Sequence, residues 1–502
     1  MPGPAQTYLD TLTTTLLLGA DRAGTLPQTP PPGRLAARTA QTNAADRESA
    51  LLDLAAAASP WSRAGAAPQP AGPPPDPAPP DDRPPCPPGP AAILTRLLRS
   101  TDRDMLREWL DLARARNFAV LFDAIPDLLD VARQHAALRE PIIAAIGPRG
   151  RWLAAMNPDW SFANLAETSN PEELWQTGTL QQRLLLLRDL RRRDPVRALT
   201  LVQSTWATDP TDDRANFLTE FTHGLSMADE PFLESCLDDK RKPVRAGAAT
   251  LLQYLPESRF AARMLQRVTP LLNYEPPRKK SAPGRITATL PPAFDKSWAR
   301  DGIEEKPPQG TGERQWWLQQ ILSMTPPSTW SSAWKAEPAT LLAAADDSDW
   351  RTLLMTAWAA AAATFADQDW AETLLAWWMD NPRSKVLHSA HANALLATLD
   401  PPRRERFVLG LLPHKQQPRV GALILQMDHE WSPEFSRAIL RYFASSDKPP
   451  VDLKLCIGCF HHTTVPDLAA HFEKAGKMDE LASHNQFLRL EFRAQMHREF
   501  NA

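Results

Sequence analysis

The stretch DEPFLESCLDDKRKPVRAGAATLLQYLP, residues 229–256, decides the fold class, because two helices and the turn between them can be read from it. Asp229 suits an N-cap, and Pro231 falls in the first turn, where a missing N–H costs nothing. Phe232, Leu233, Cys236 and Leu237 then share one face. Asp238 and Asp239 end this helix, and after a tight Asp-Asp-Lys-Arg-Lys turn Pro243 opens a second one. At roughly 100° per residue, Val244, Ala248, Leu251, Leu252 and Leu255 fall in one apolar arc, Arg245, Ala249 and Gln253 point away, and Pro256 closes the segment. Each helix has one apolar stripe. Two stripes packed together leave apolar surface uncovered, so the pair asks for neighbouring pairs to stack on it.

A second copy stands upstream. Pro195-Val196-Arg197 precedes Pro243-Val244-Arg245 by 48 residues, close to the roughly 40–47-residue period of two-helix solenoid repeats. The helix after it is read with Val196, Leu199, Val202 and Trp206 on one face, and a leucine-rich helix, Leu180 to Arg192, comes before it. The expectation is an all-α fold, a HEAT-like α-solenoid of stacked helical hairpins, with an irregular helical bundle as the alternative.

Outward from this core, residues 174–272, the organisation follows composition. Residues 1–59 are read as an N-terminal helical piece with candidates around Tyr8–Gly19 and Ala44–Ala58. Residues 60–90 hold 14 prolines in 31 positions, a composition that neither forms a helix nor buries a core, and are expected to be a disordered linker. Apolar periodicity returns from Ala91 as three or four short helices, so 91–272 is one helical region. Residues 273–315 lose the helical signal and are read as an irregular connector, functional or mobile. Residues 316–502 form a C-terminal helical region; nine of the 17 tryptophans lie between Trp316 and Trp378, at helical spacing. Inward-facing core filling accounts for them better than an aromatic docking platform. A charged helix, Met478 to Phe500, is expected to cap the array.

Charge and cysteine content narrow the function classes. Fifty-six Lys and Arg against 59 Asp and Glu give a net charge of −3, which supplies no global attraction to nucleic acid or anionic lipid. Four unevenly placed cysteines make no disulfide framework and fit a reducing cytoplasm. The Thr11–Ala20 run carries no preceding Lys or Arg and follows Asp10, unlike an export signal, and Leu353–Ala366 is too short to span a bilayer. No Walker A motif, G-x-G-x-x-G or G-x-S-x-G elbow occurs, so nucleotide, dinucleotide and serine-hydrolase chemistry lack their starting points.

Two clusters have site character. Cys456-Ile-Gly-Cys459-Phe-His461-His462 puts two cysteines on one helix face, but Thr463 follows on that face and two further ligands would have to come from elsewhere. His461, His462 and His471 stand nearby with nothing in the spacing to fix them. Cysteine as a small core hydrophobe beside Leu455 and Phe460 is the better account, so no metal and no cofactor is expected. The basic turn Lys240, Arg241, Lys242 with Arg245, and the triplet Arg191-Arg192-Arg193 one repeat earlier, could align as one protein-binding patch; solvated helix ends are the plainer reading.

Further residues carry a resemblance. Leu17-Leu18-Gly19, Gly224-Leu225-Ser226 leading into Asp229–Glu234 and Leu237-Asp238-Asp239, Trp298-x-Arg300-Asp301-Gly302-Ile303, Gly312-Glu313 and Trp316-Trp317-Leu318 look like an uncharacterised bacterial family, a domain of unknown function with HEAT-like helical repeats. The resemblance implies no assigned activity and no catalytic residues. It implies genes lying beside those for a SWIM zinc-finger protein, a MoxR-type AAA ATPase and a von Willebrand A-domain protein. The expected function is a cytoplasmic, non-enzymatic scaffold for protein–protein interaction, possible partners being the ATPase or the von Willebrand A-domain protein. The alternatives are a nucleic-acid-backbone binder using the basic turns and an enzyme with an unrecognised helical active site.

Overall fold

The computed structural model describes residues 4–18, 49, 52–56, 75–164, 171–277, 283–446 and 448–502. The chain divides into two compact units, residues 1–77 and 78–502. In the first, the helix expected around Tyr8–Gly19 runs Pro4–Leu18. Of the second candidate, Ser49 and residues 52–56 are helical and the rest lies outside the described residues.

The second unit is all-α, as the sequence predicts; the strands among the described residues are a single short antiparallel pair. Its segment 229–256 folds largely as read. Phe232, Leu233, Cys236 and Leu237 are buried, and so are Val244, Ala248, Leu251, Leu252 and Leu255. Asp229, however, does not cap the helix Glu230–Cys236 with its side chain. Its carboxylate accepts the Ser226 N–H and is held by Arg191. Ala249 is buried rather than outward, lying beneath Gly302 at the entry to the buried Ile303.

The upstream copy is shifted in phase. Val196 is 65% exposed, whereas Ala198, Val202 and Thr205 are buried, and each of these stands 46 residues before Val244, Ala248 and Leu251. The Pro-Val-Arg triplets therefore repeat in letters but not in register. The helix Pro195–Thr205 begins at its proline, with Asp194 capping it through the Arg197 N–H, while the helix Lys242–Gln253 begins one residue before Pro243 and has no side-chain cap.

Four helices, Pro88–Arg99, Arg103–Ala115, Ile125–Gln134 and Arg139–Ala155, follow the short N-terminal stretch of this unit. Residues 60–74 of the expected linker lie outside the described residues, but 81–90 depart from that expectation. Ala119 donates to the Pro84 carbonyl at 2.8 Å, Cys86 donates to the Ala119 carbonyl at 2.9 Å, and a helix opens at Pro88. The helix Arg139–Ala155 breaks at Gly147, where φ is +59°, and Arg83 caps the freed carbonyls of Ala144 and Ala145 at 3.1 and 2.9 Å. A Cβ at Gly147 would come within 2.1 Å of the Arg83 guanidinium, so the kink and the docked segment require each other.

The 273–315 stretch also carries structure. Leu272–Glu275 pairs with Arg285–Ala288, Leu272 facing Ala288, and a short helix Lys296–Arg300 follows. Asp301 at its end is buried, and Arg263 and Arg267 bind it at 2.7 Å each.

Two apolar clusters form the core. One holds Ile93, Leu106, Trp109, Leu128 and Ile142, together with Met496 and Phe500 from the far end of the chain. The larger runs from Trp175 to Leu490. The last helix, Asn485–Asn501, is separate from a short helix at Met478–Ala482 and joins both clusters: Phe487 and Leu490 enter the larger, Met496 and Phe500 the smaller. It does more than cap a stack, because it ties the end of the chain to the first two helices of the unit. Trp109 meets Phe500 edge-on at 5.6 Å, Arg489 binds Asp102 at 2.6 and 3.0 Å, and Arg493 binds Glu108 at 2.7 Å.

Candidate functional site

The basic residues singled out in the sequence separate into two kinds. Lys240, Arg241 and Lys242 are exposed on the turn between the helices Glu230–Cys236 and Lys242–Gln253. Lys242 reaches the Glu304 carboxylate at 2.6 Å, and Arg245 is half-buried, donating to the Asp239 carbonyl at 2.7 Å.

Arg191 is fully buried and is no part of a surface. Its five N–H bonds are all used: the Asp229 carboxylate takes two at 2.8 Å each, and the carbonyls of His223, Gly224 and Pro195 take the others at 3.0, 2.9 and 3.2 Å. The ring of Phe221 lies 4.4 Å beneath the guanidinium. Arg192 pairs with Glu140 and Arg193 with Asp189. Of the two turns expected to line up as one basic patch, the earlier one loses Arg191 to the core and keeps Arg192 and Arg193 exposed but ion-paired, whereas Lys240 and Arg241 of the later one stand in solvent. The burial of Arg191 is not legible locally because its acidic partner, Asp229, is distant in sequence.

The cysteines behave as core. The Asp452–Phe460 segment is a 3-10 run, Leu453–Cys459, rather than an α-helix, and Leu455 is 67% exposed instead of packed beside the cysteine. Cys456 is buried and its thiol is pushed up to about 12 by desolvation. Cys459 donates to the Met427 carbonyl at 3.2 Å, and burial raises its thiol as well. Neither thiol is poised to ionise.

The histidines that follow are assembled into a cluster that no spacing rule announces. Trp431 N–H donates to the Cys459 carbonyl at 2.7 Å, which brings the turn carrying Glu430 alongside Phe460–His462. The Ser436 hydroxyl accepts the His461 N–H at 3.1 Å, fixing the direction of the next two residues. Glu430 Oε1 then accepts both the backbone N–H of His462 at 3.1 Å and its ring Nδ1–H at 2.8 Å. Arg493, from the last helix, approaches Glu430 Oε2 at 3.2 Å. His462 stacks on His497 with ring centres 3.9 Å apart and planes 15° apart, and His461 lies tilted by 30° against His462 at 4.2 Å. His497 Nε2 reaches Glu108 at 2.7 Å.

The electrostatics follow from these partners. Burial alone would raise the Glu430 carboxyl, but the His462 hydrogen bond and the charge of Arg493 outweigh it and bring it to about 2. Glu108 is also held below its ordinary range: desolvation pushes it up, and the bonds from His497 and Arg493 more than compensate. Burial lowers His461, so its ring is held neutral and can act as a donor-atom ligand. Clefts of about 530 Å³ open on both sides of Glu430, one lined by Asp428, Glu108, Cys459 and Arg493, the other by Glu405, Trp431 and His461.

Sequence reasoning noted His461 and His462 but missed Glu430, Glu108, Arg493 and His497. Glu430 stands 32 residues before its histidine, and the others sit on helices at opposite ends of the unit. The adjacent His-His pair was the available signal.

The molecule is thus an all-α chain whose last helix seals the end of its second unit with an ionisable cluster at the seam. It belongs to the family described as a family of unknown function (DUF5691), whose model matches residues 11–500. Neither a curated protein nor a solved structure matches it. Among the described residues no helix is long and apolar enough to cross a membrane.

Proposed function

We propose that this chain is a non-enzymatic, cytoplasmic scaffold of HEAT-like helical repeats that binds a protein partner through the turn Lys240–Lys242 with Arg245 behind it. The partners that the family resemblance implies are a MoxR-type AAA ATPase or a von Willebrand A-domain protein. The observation that carries the reading is the contrast at this turn: Lys240 and Arg241 stand in solvent, while Arg191, Arg214 and Arg300 around it are tied to Asp229, Asp239 and Asp238. A fold that neutralises its arginines internally leaves these cations available for an acidic partner surface. The burial pattern shared by the helices Pro195–Thr205 and Lys242–Gln253 supports the repeat assignment.

The test is co-elution of the full chain with each candidate partner on size-exclusion chromatography. The Lys240→Glu, Arg241→Glu, Lys242→Glu triple variant should lose the complex. A nucleic-acid-backbone binder would instead shift a labelled duplex and release it steeply as salt rises. Unchanged co-elution of the triple variant removes the turn as the binding surface.

A further inference from the structure

Glu430, His461 and His462 each offer one ligand atom, and these atoms lie within 4.8 Å of one another. We propose that these three residues form a binding site for a divalent transition-metal ion of the zinc class, independent of the scaffold reading above. Two imidazole nitrogens and one carboxylate oxygen are a donor set that favours zinc and its first-row neighbours over magnesium or calcium, which prefer all-oxygen shells.

The local geometry shows which atoms would serve. His461 Nδ1 accepts the Thr463 N–H at 3.3 Å and lies 2.7 Å from the Thr463 hydroxyl, which fixes the ring; binding through Nε2 moves the ring proton to Nδ1, where the Thr463 hydroxyl accepts it as an outer partner. His462 Nδ1 and Glu430 Oε1 are joined by a hydrogen bond of 2.8 Å. Two donors on a tetrahedral ion with bonds of roughly 2.0–2.1 Å stand about 3.3 Å apart, so the ion takes the place of the shared proton after an opening of about 0.5 Å. The step balances as a change of tautomer: the Nδ1–H bond of His462 breaks and its proton leaves to solvent, the freed nitrogen lone pair binds the ion, and a proton from solvent bonds to Nε2, so the ring stays a neutral imidazole.

The surroundings support a bound cation and supply a way in. Arg493 holds the second oxygen of Glu430 at 3.2 Å, which orients the carboxylate, while Glu108 at 2.7 Å from Arg493 offsets its positive charge. His497 covers the outer face of the His462 ring. The clefts that Glu430 lines, one of them shared with His461, give the ion an entry. Because Arg493 and His497 both belong to the last helix, loading the site would also strengthen the seam that this helix closes.

Isothermal titration of the EDTA-treated full chain with ZnCl2, in two buffers of different ionisation enthalpy, tests the proposal. One equivalent should bind saturably with the same heat in both buffers, because His462 exchanges one ring proton site for the other and releases no net proton. Affinity should fall at least tenfold in Glu430→Gln, His461→Gln and His462→Gln, and should be unchanged in the Cys456→Ser, Cys459→Ser double variant and in His471→Gln. Each metal-free variant is checked by circular dichroism and melting. If His462→Gln does not fold, His461→Gln decides, because its ring bonds only to Thr463 of its own turn. Substitution with Co2+ should give visible bands without the thiolate charge-transfer absorption that cysteine ligands produce. The proposal is overturned by an absence of saturable binding, by binding that survives the His461→Gln, His462→Gln pair, or by a cobalt spectrum with thiolate character.

Discussion

Between Pro171 and Ile303, arginines tie neighbouring helices together: Arg183 to Asp209, Arg188 to Glu220, Arg191 to Asp229, Arg214 to Asp239 and Arg263 to Asp301. Between Glu313 and Asp380 the same task falls to alanine and tryptophan. Ala357, Ala361 and Ala362 are buried, Trp358 meets Trp370 at 4.8 Å in a T-shaped pair, and the ion pair with both partners in this stretch, Arg351 with Asp346, lies at the surface, while Asp369 and Glu372 pair with Arg403 beyond it. The difference is one of specificity. A bidentate guanidinium–carboxylate pair accepts one arrangement of its helices, whereas small and large side chains fit by volume and spread the constraint over many contacts.

The sharpest way to break this comparison is at Arg191. Replacing it with Leu leaves the Asp229 carboxylate buried without its partner and strips three carbonyls of their donor, so stability should fall by about 3–5 kcal/mol. The Arg191→Leu, Asp229→Leu pair should recover most of the loss, since two apolar residues carry no uncompensated charge. Urea denaturation measures both. A single variant within about 1 kcal/mol of the parent, well below that range, would mean that the pair fixes no register.

The tryptophan-rich half should answer differently. Trp358→Ala removes a fully buried side chain and should cost about 3–5 kcal/mol. Trp358→Phe should cost far less, because the indole N–H of Trp358 finds no protein acceptor to lose. Trp370→Phe should cost more than Trp358→Phe, since the Trp370 N–H donates to Ser331 at 3.1 Å. Equal costs for the two Phe variants would show that volume alone governs this half.

The same contrast explains what the sequence could and could not show. Apolar periodicity over 229–256 placed the core residues of both helices, because a stripe is a local property. All nine tryptophans between 316 and 378 are buried or half-buried for the same reason: helical spacing records facing. Val196 was misread because a proline-led start shifts the phase of a short helix, and letters repeat where register does not. The ribbon from Leu272 and the docked segment 83–90 escaped because proline and charge hide short strands and backbone pairing. The Glu430 cluster was illegible for a further reason: its members come from Glu108 to His497, and only closure by the last helix brings them together.

Acid should loosen that closure. Burial raises Asp102, but the hydrogen bonds from Arg489 and the Met105 and Asp104 backbones outweigh it, and its carboxyl is held below its ordinary value of 3.8. A depressed folded value gives stability that is complete above the unfolded value and is lost as pH falls through the folded one. Asp102→Asn keeps an acceptable N-cap for the helix Arg103–Ala115 and removes only the charge seen by Arg489. Near neutral pH it should cost about 1 kcal/mol, and the gap in melting temperature should narrow as pH drops below about 4. A gap that is constant with pH would mean that the contribution is capping rather than charge.

The smallest expected effect falls on the basic turn, and it completes the comparison because it concerns arginine and lysine that the fold does not use. Lys240 and Arg241 are exposed, and Lys242 meets only the exposed Glu304 carboxylate. An exposed pair of this kind is worth about 0–1 kcal/mol, and surface substitutions away from the core stay within about 0.5 kcal/mol each. Lys240→Glu, Arg241→Glu, Lys242→Glu should therefore melt close to the parent, while Arg214→Glu, one helix away and paired with the mostly buried Asp239 at 2.7 Å, should melt markedly lower. Differential scanning calorimetry on the two variants separates cations that build the fold from cations left for a partner. A triple variant as unstable as Arg214→Glu would place the turn among the structural ties and take from it the freedom on which the binding proposal depends.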